Sequence, residues 1–195
     1  MSPLRRARGL VLFPGAGASS DHHTLVALED ALAPLPVARC DFPYRLAGRR
    51  APDRAPVLVG SVVDHATAFA AEHDLHPRAV VLGGRSMGGR MCSMAVAGGL
   101  PAAGLVLLSY PLHPPGKPEK LRIEHLPQLD VPCLFVSGTK DPFGTPEELE
   151  REVAAIPGPV TIHWLEGAGH DAKGRDAEIS QVVAAWIDRL GRRRG

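Results

Sequence analysis

Short apolar runs alternate with stretches of helical period along the chain. Gly9–Phe13 (GLVLF), residues 36–42 (PVARCDF), 78–82 (RAVVL), 104–109 (GLVLLS), 133–137 (CLFVS) and Val160–Leu165 (VTIHWL) have the length of strands. Most are apolar throughout rather than alternating, the pattern of a parallel sheet buried on both faces. Between them, Leu25, Leu28 and Leu32 recur at helical spacing within residues 21–33. Val59, Val62, Val63, Ala66 and Ala70 line one face of residues 57–73 in the same way. Further helices are expected at Met87–Ala97, at 146–156 with Pro146 in the first turn, and at 179–190. Asp21 is the expected cap of the first helix, with His22 and His23 simply opening it.

Strand and helix in regular alternation imply an α/β architecture of three layers: a mostly parallel sheet of about six strands with helices on both faces. No internal repeat or low-complexity segment divides the chain, so residues 1–195 read as one domain. Residues 43–56, rich in proline and arginine, read as an exposed loop. Residues 110–129 are proline-rich, with at most one short helix around 119–124, so no lid domain is expected and the pocket should be open and shallow.

With 195 residues, 45% of them hydrophobic, 22% charged and a formal net charge of +1, the composition is that of an ordinary globular domain. Nothing in it calls for nucleic acid or a membrane surface. The apolar runs fall far short of the roughly 20 residues a membrane span requires. No secretory leader is legible at the N-terminus, and Arg192, Arg193 and Arg194 read as a solvated basic tail. Cys40, Cys92 and Cys133 are unclustered and set among apolar residues, as in a cytoplasmic protein with reduced core thiols. No metal-ligand spacing is present; His73 and His76 belong to a surface turn.

The candidate chemistry begins at residues 79–91, AVVLGGRSMGGRM. A buried strand breaks into glycines around Gly84-Arg85-Ser86-Met87-Gly88 and a helix follows, which matches G-x-S-x-G. That pattern puts a serine on a strained strand-to-helix turn with its hydroxyl exposed above the sheet. A serine hydroxyl is a weak nucleophile unless a base takes its proton, a third group orients the base, and donors meet the developing oxyanion. The chain carries these residue types after successive strands. Asp141 follows the strand at 133–137, and His170 follows Val160–Leu165 on the loop Glu166-Gly167-Ala168-Gly169-His170-Asp171. His170 would be the base and Asp141 its orienting acid, with Glu166 and Asp171 as weaker substitutes for Asp141. Asp130 precedes its strand and falls at the opposite edge. The backbone N–H of Met87 and that of Ala16, on the small-residue loop after the first strand, are the expected oxyanion donors. Arg85 reads as a salt-bridge anchor.

Two other uses of glycine-rich turns fit less well. Gly83 and Gly88 have phosphate-loop spacing, but Gly89-Arg90 stands where Lys-Ser or Lys-Thr is needed. Gly15-Ala16-Gly17 begins a dinucleotide fingerprint with Asp41 as its acid, but Ser20 occupies the place of the third glycine. The remaining alternative is a non-catalytic interaction domain built on the same fold.

FPGAGASSDH (13–22), GGRSMGGRM (83–91), SYPLHPPGKPEKLRIEHLPQL (109–129), LFVSGTKDPFG (134–144) and GAGHD (167–171) carry a resemblance over nearly the whole chain. It resembles the α/β-hydrolase superfamily, and within it the small capless branch related to testis-expressed protein 30 and the third non-specific-lethal complex subunit, with dienelactone hydrolases more distant. The resemblance implies Ser86 as nucleophile, Asp141 as acid and His170 as base, on a sheet that in the family usually has two further strands at its start. Serine, histidine and aspartate together imply a cofactor-free hydrolase that cleaves an ester or other activated acyl bond in a small molecule through an acyl-enzyme. Arg45, Arg49 and Arg50, after the second strand, are the residues expected to favour an anionic substrate.

Overall fold

A computed structural model of the chain describes residues 6–190, so the tail arginines Arg192, Arg193 and Arg194 lie outside the described residues. Six strands form one sheet: β1 (Gly9–Phe13), β2 (Val37–Arg39), β3 (Val80–Arg85), β4 (Gly104–Leu108), β5 (Cys133–Gly138) and β6 (Val160–Leu165). Their spatial order is β2-β1-β3-β4-β5-β6, and every neighbouring pair is parallel. Apart from edge strands β2 and β6, every strand residue is buried, which is why these segments read as unbroken apolar runs.

Among the described residues six α-helices accompany the sheet: α1 (His23–Leu32), α2 (Pro43–Leu46), α3 (Ala55–Glu72), α4 (Met87–Ala97), α5 (Pro146–Val153) and α6 (Asp176–Arg189). On one face, Leu10, Leu12, Val81, Val106 and Val136 meet Leu25 and Leu28 of α1 and Val183 and Trp186 of α6. On the other, Phe13, Leu82, Leu107 and Phe135 meet Val62 and Phe69 of α3 and Met91 and Val96 of α4. Alternate residues of one strand therefore feed two separate cores.

The chain runs from β1 outward to β2, then crosses back to β3 on the far side of β1. Connections that leave β1 and β3 in opposite directions open a crevice above their carboxyl ends, the place where α/β sheets bind ligands. Sequence reaches this layout through the elbow. A Cβ on Gly84 would lie 2.2 Å, and one on Gly88 2.3 Å, from the carbonyl oxygen of Phe13. Only glycine lets α4 start directly against β1.

Several boundaries differ from the sequence reading. β2 has three residues rather than seven and is an edge strand whose residues are all only half-buried. Residues 43–56 are not a plain exposed loop: Pro43 opens a short helix, and Tyr44 within it is fully buried. His22, not Asp21, caps α1, its Nδ1 accepting from the N–H of Thr24 at 3.3 Å. Asp21 instead pairs with Arg39 at 3.1 Å. Residues 119–124 are not helical; the single helical turn of that segment is a 3-10 turn at Leu126–Gln128. α6 starts at Asp176, where Asp176 and Glu178 suit the positive end of the helix dipole. No helix among the described residues is long and apolar enough to cross a membrane.

Candidate active site

Ser86 stands at the junction of β3 and α4 with φ 50° and ψ −118°. This backbone conformation is costly for a non-glycine residue, and the flanking contacts of β1 and β4 impose it. The N–H of Ser86 donates to the carbonyl of Leu108 at 2.8 Å, and its own carbonyl accepts from Arg90 N–H at 3.1 Å. The turn is thus fastened on both sides.

His170 Nε2 lies 2.9 Å from Ser86 Oγ. Its Nδ1 lies 2.8 Å from Asp141 Oδ2 and 3.0 Å from Oδ1. An ionised carboxylate only accepts, so Nδ1 carries the proton and donates it to Asp141. Nε2 is left as the acceptor facing the serine hydroxyl. Asp141 is 4% exposed and also accepts from the N–H of Phe143 at 2.9 Å, which closes a tight turn before the ring of Phe143. That ring stacks on the imidazole with centroids 4.0 Å apart. The three side chains predicted to act together are therefore brought together from loops after β3, β5 and β6.

Of the other candidates, Asp171 and Glu166 stand elsewhere. Asp171 accepts from Arg85, and Glu166 from Thr139 Oγ1 at 3.4 Å. Arg85 is 7% exposed and donates from one nitrogen to both the Asp171 carboxylate and the His170 carbonyl, the latter at 2.9 Å. The anchoring role read from sequence is what its contacts describe. Asp41 is held by the N–H and hydroxyl of Ser20 at 2.9 and 2.8 Å, so it braces the loop after β1.

Ala16 and Met87 both line the cleft. Met87 is the first residue of α4, where backbone N–H groups have no partner inside the helix. The carbonyl of Gly15 accepts from Ala18 N–H at 3.1 Å. Because a trans peptide points its C=O and N–H in opposite directions, this bond orients the N–H of Ala16. The next peptide is held by Tyr44, whose hydroxyl donates to the Ala16 carbonyl at 2.7 Å.

The cleft has a volume of about 750 Å³, with Ser86 and His170 on its wall beside apolar Leu58, Met91 and Phe143. Residues 109–132 run along one side of it as a strap that contributes Pro111 and Arg122. His113 N–H donates to the Phe143 carbonyl at 3.2 Å, and Arg122 N–H to the Leu112 carbonyl at 2.8 Å. His22 also lines the cleft; burial, aided by the Arg85 guanidinium, lowers its pKa below the ordinary imidazole value. Among the described residues no cluster of histidine, cysteine and carboxylate side chains could hold a metal ion.

One expectation fails. Arg45, Arg49 and Arg50 do not line the cleft. Arg49 makes a two-pronged bond to Asp53 at 2.7 and 3.0 Å, Arg50 is exposed, and Arg45 is half-buried. Helix α2 turns this segment outward by burying Tyr44. The arginines in the cleft are Arg85, Arg90 and Arg122. Arg90 had a readable signal, since it follows Ser86 by four residues and so shares its helical face. Arg122, in a segment without periodicity, had none.

Residues 6–188 match a family described as alpha/beta hydrolase domain. Among solved structures, a dienelactone hydrolase from Anabaena variabilis aligns with a TM-score of 0.74 at 18% identity, covering 96% of this chain and 89% of that one. Est1E from Butyrivibrio proteoclasticus aligns with a TM-score of 0.68 at 14% identity, over 93% of this chain and 87% of that one. An alpha-beta serine hydrolase homologue from Coxiella burnetii gives 0.71 at 20% identity, over 94% and 86%. At such identities the likeness is one of fold.

Proposed function

The chain belongs to the alpha/beta hydrolase domain family, and from that premise we propose that it is a serine hydrolase that cleaves an ester or similarly activated acyl bond of a small molecule. One observation carries the reading: Ser86 Oγ, His170 Nε2 and, through Nδ1, the Asp141 carboxylate form a continuous chain of contacts of 2.9 and 2.8 Å.

Ser86 Oγ attacks the acyl carbonyl carbon as His170 Nε2 takes its proton. Asp141 holds the imidazole in the required tautomer and stabilises the imidazolium. The carbonyl oxygen, now negative, is met by the N–H groups of Met87 and Ala16. Collapse of the intermediate breaks the bond to the leaving group, which departs with the proton from His170 and leaves an acyl ester on Ser86. A water molecule, deprotonated by His170, then attacks that ester. The acid leaves, and the hydroxyl of Ser86 is restored. No cofactor enters either half of the cycle.

Within the superfamily we assign the chain to the small capless branch, on the strength of a strap at 109–132 that holds no α-helix and of the motifs that carry the resemblance. Cys40, Cys92 and Cys133 are free and buried, in keeping with a reducing cytoplasm.

Labelling by a fluorophosphonate probe tests the proposal. The unsubstituted protein is expected to be labelled, Ser86→Ala to lose labelling, and Asp141→Asn to slow p-nitrophenyl ester turnover by about 10⁴-fold. Labelling that persists in Ser86→Ala would refute the nucleophile. A protein that takes no label would favour a non-catalytic interaction domain.

A further inference from the structure

Among the described residues three guanidinium groups and two carboxylates line the cleft, and their pairing is uneven. Asp53 is occupied by Arg49 and Asp171 by Arg85. Among the described residues neither Arg90 nor Arg122 has a carboxylate within salt-bridge distance. Both lie on the cleft wall, Arg90 from α4 and Arg122 from the strap. Nε of Arg90 is buried and has no hydrogen-bond partner. A buried donor without an acceptor is costly, and two neighbouring cations without a counter-charge repel one another. Desolvation, and after it the Arg90 charge, pull the Arg122 guanidinium below its ordinary pKa. Their other neighbours do not relieve this. His125 is pushed down to about 4 by burial and then by Arg90, so it is neutral near pH 7, and Tyr110 is held in its phenol form by burial. Glu124 acts on His125 and Tyr110 but makes no bond to either arginine.

We propose that Arg90 and Arg122 form an anion subsite of this cleft, so that the substrate is an acyl compound bearing a carboxylate or phosphate group a few bonds from the scissile carbonyl. This rests on the hydrolase reading of Ser86 and names the substrate class for it. The spacing follows from the helix. Arg90 lies one turn beyond Ser86, roughly 6 Å along the axis, on the same face. An acyl carbonyl held against Ser86 and the Met87 N–H therefore extends its far end past Met91 towards the two guanidinium groups. Each guanidinium presents parallel N–H donors that match two oxygens of one anion. The methylene linker lies on the apolar wall of Leu58 and Met91.

Three p-nitrophenyl esters of similar length test the subsite: the hemiester of glutaric acid, the ester of 4-phosphonobutanoic acid, and the neutral pentanoate. At low ionic strength, kcat/KM for one of the anionic esters is expected to exceed that for the pentanoate by about tenfold or more, and the advantage to shrink as salt is added. Which anionic ester leads identifies carboxylate or phosphate as the group recognised. Arg90→Gln and Arg122→Gln should each reduce the anionic-to-neutral ratio by about tenfold, with Arg122→Lys retaining part of it. Circular dichroism melts of each variant exclude misfolding. The same question is put without turnover by calorimetric titration of Ser86→Ala with monomethyl glutarate and monomethyl 4-phosphonobutanoate. Binding of at least one, weakened by Arg122→Gln, is the expected result. Equal ratios for all three esters, or ratios unmoved by the arginine variants, would overturn the subsite while fluorophosphonate labelling left the nucleophile standing. Absence of labelling in the unsubstituted protein, with anion binding intact, would overturn the nucleophile and leave the subsite. Failure of Ser86→Ala to bind either anion overturns the subsite on its own.

Discussion

Arg85 donates to the backbone carbonyl of His170 at 2.9 Å, so the residue just before the elbow serine holds the loop that carries the facing imidazole. Two segments far apart in sequence are registered by one buried guanidinium. The same nitrogen reaches Asp171, but that carboxylate is 83% exposed, and an exposed partner adds little. The bond to the carbonyl fixes the approach of His170 to Ser86.

Arg85→Met is therefore expected to lower kcat by about 10²-fold, the cost of a displacement near 1 Å in a reacting pair, with little change in KM. Arg85→Lys should recover part of the loss, because an ammonium still reaches one acceptor. Asp171→Asn should stay close to the parent. Steady-state kinetics on one neutral ester measure all three, and a proportional rise in KM for Arg85→Met would contradict a positioning role.

Tyr44 bears on the opposite wall. Its hydroxyl holds the peptide after Ala16 at 2.7 Å. Tyr44→Phe should cost about 1 kcal/mol of stability in urea unfolding. Its kcat should also fall, by less than the roughly 10²–10³-fold that follows removal of an oxyanion donor outright. An unchanged kcat would detach the first loop from oxyanion stabilisation.

Two glycines should respond with opposite signs. A Cβ at Gly88 would meet the Phe13 carbonyl oxygen at 2.3 Å, whereas one at Gly60, in the exposed face of α3, would meet nothing within 4 Å. Gly88→Ala is expected to cost about 1–3 kcal/mol or more, since neither strand nor helix can give way. Gly60→Ala should stabilise by roughly 0.5–1 kcal/mol through helix propensity and a less disordered unfolded chain. Denaturant melts of both variants check the pair, and a stabilised Gly88→Ala would contradict the close approach.

His125 sets an acid limit. Its Nε2 lies 2.7 Å from Ser93 Oγ and 3.1 Å from Tyr110 OH, and burial together with Arg90 brings its pKa from 6.5 to about 4 in the folded protein. The unfolded chain therefore binds more protons than the folded one between about pH 6.5 and pH 4. The stability this group supplies is full above pH 6.5 and is lost as pH falls through that window. Urea midpoints should decline across it, and the decline should be shallower in His125→Gln. Parallel slopes for the two proteins would remove His125 as the cause.

What sequence could reveal was set by local chemistry. The strands β1 and β6 were legible to the residue because turn-forming residues bound their apolar runs. Ser86, Asp141 and His170 were legible because each lies on the loop that follows a strand, and a parallel sheet delivers all such loops to one edge. Helix α2 was missed because a four-residue helix has no period, though Pro43 at its first turn beside an aromatic was a usable sign. The cleft arginines were misassigned for the same reason. With α2 unseen, Arg45, Arg49 and Arg50 took the place that belongs to Arg90 and Arg122, and only tertiary structure brings residue 122 across to α4.

The near contact of Gly84 and Gly88 with the Phe13 carbonyl joins main chain to main chain, with no side chain between to absorb an error. Reactivity at position 86 is for that reason separable from the scaffold that presents it. A thiol could replace the hydroxyl there without disturbing the bend, whereas one extra methyl on either neighbour would deform it whatever nucleophile it carried. Laboratory evolution of this protein has most freedom in the cleft-facing side chains and least in the two atoms-thin seams that hold the turn.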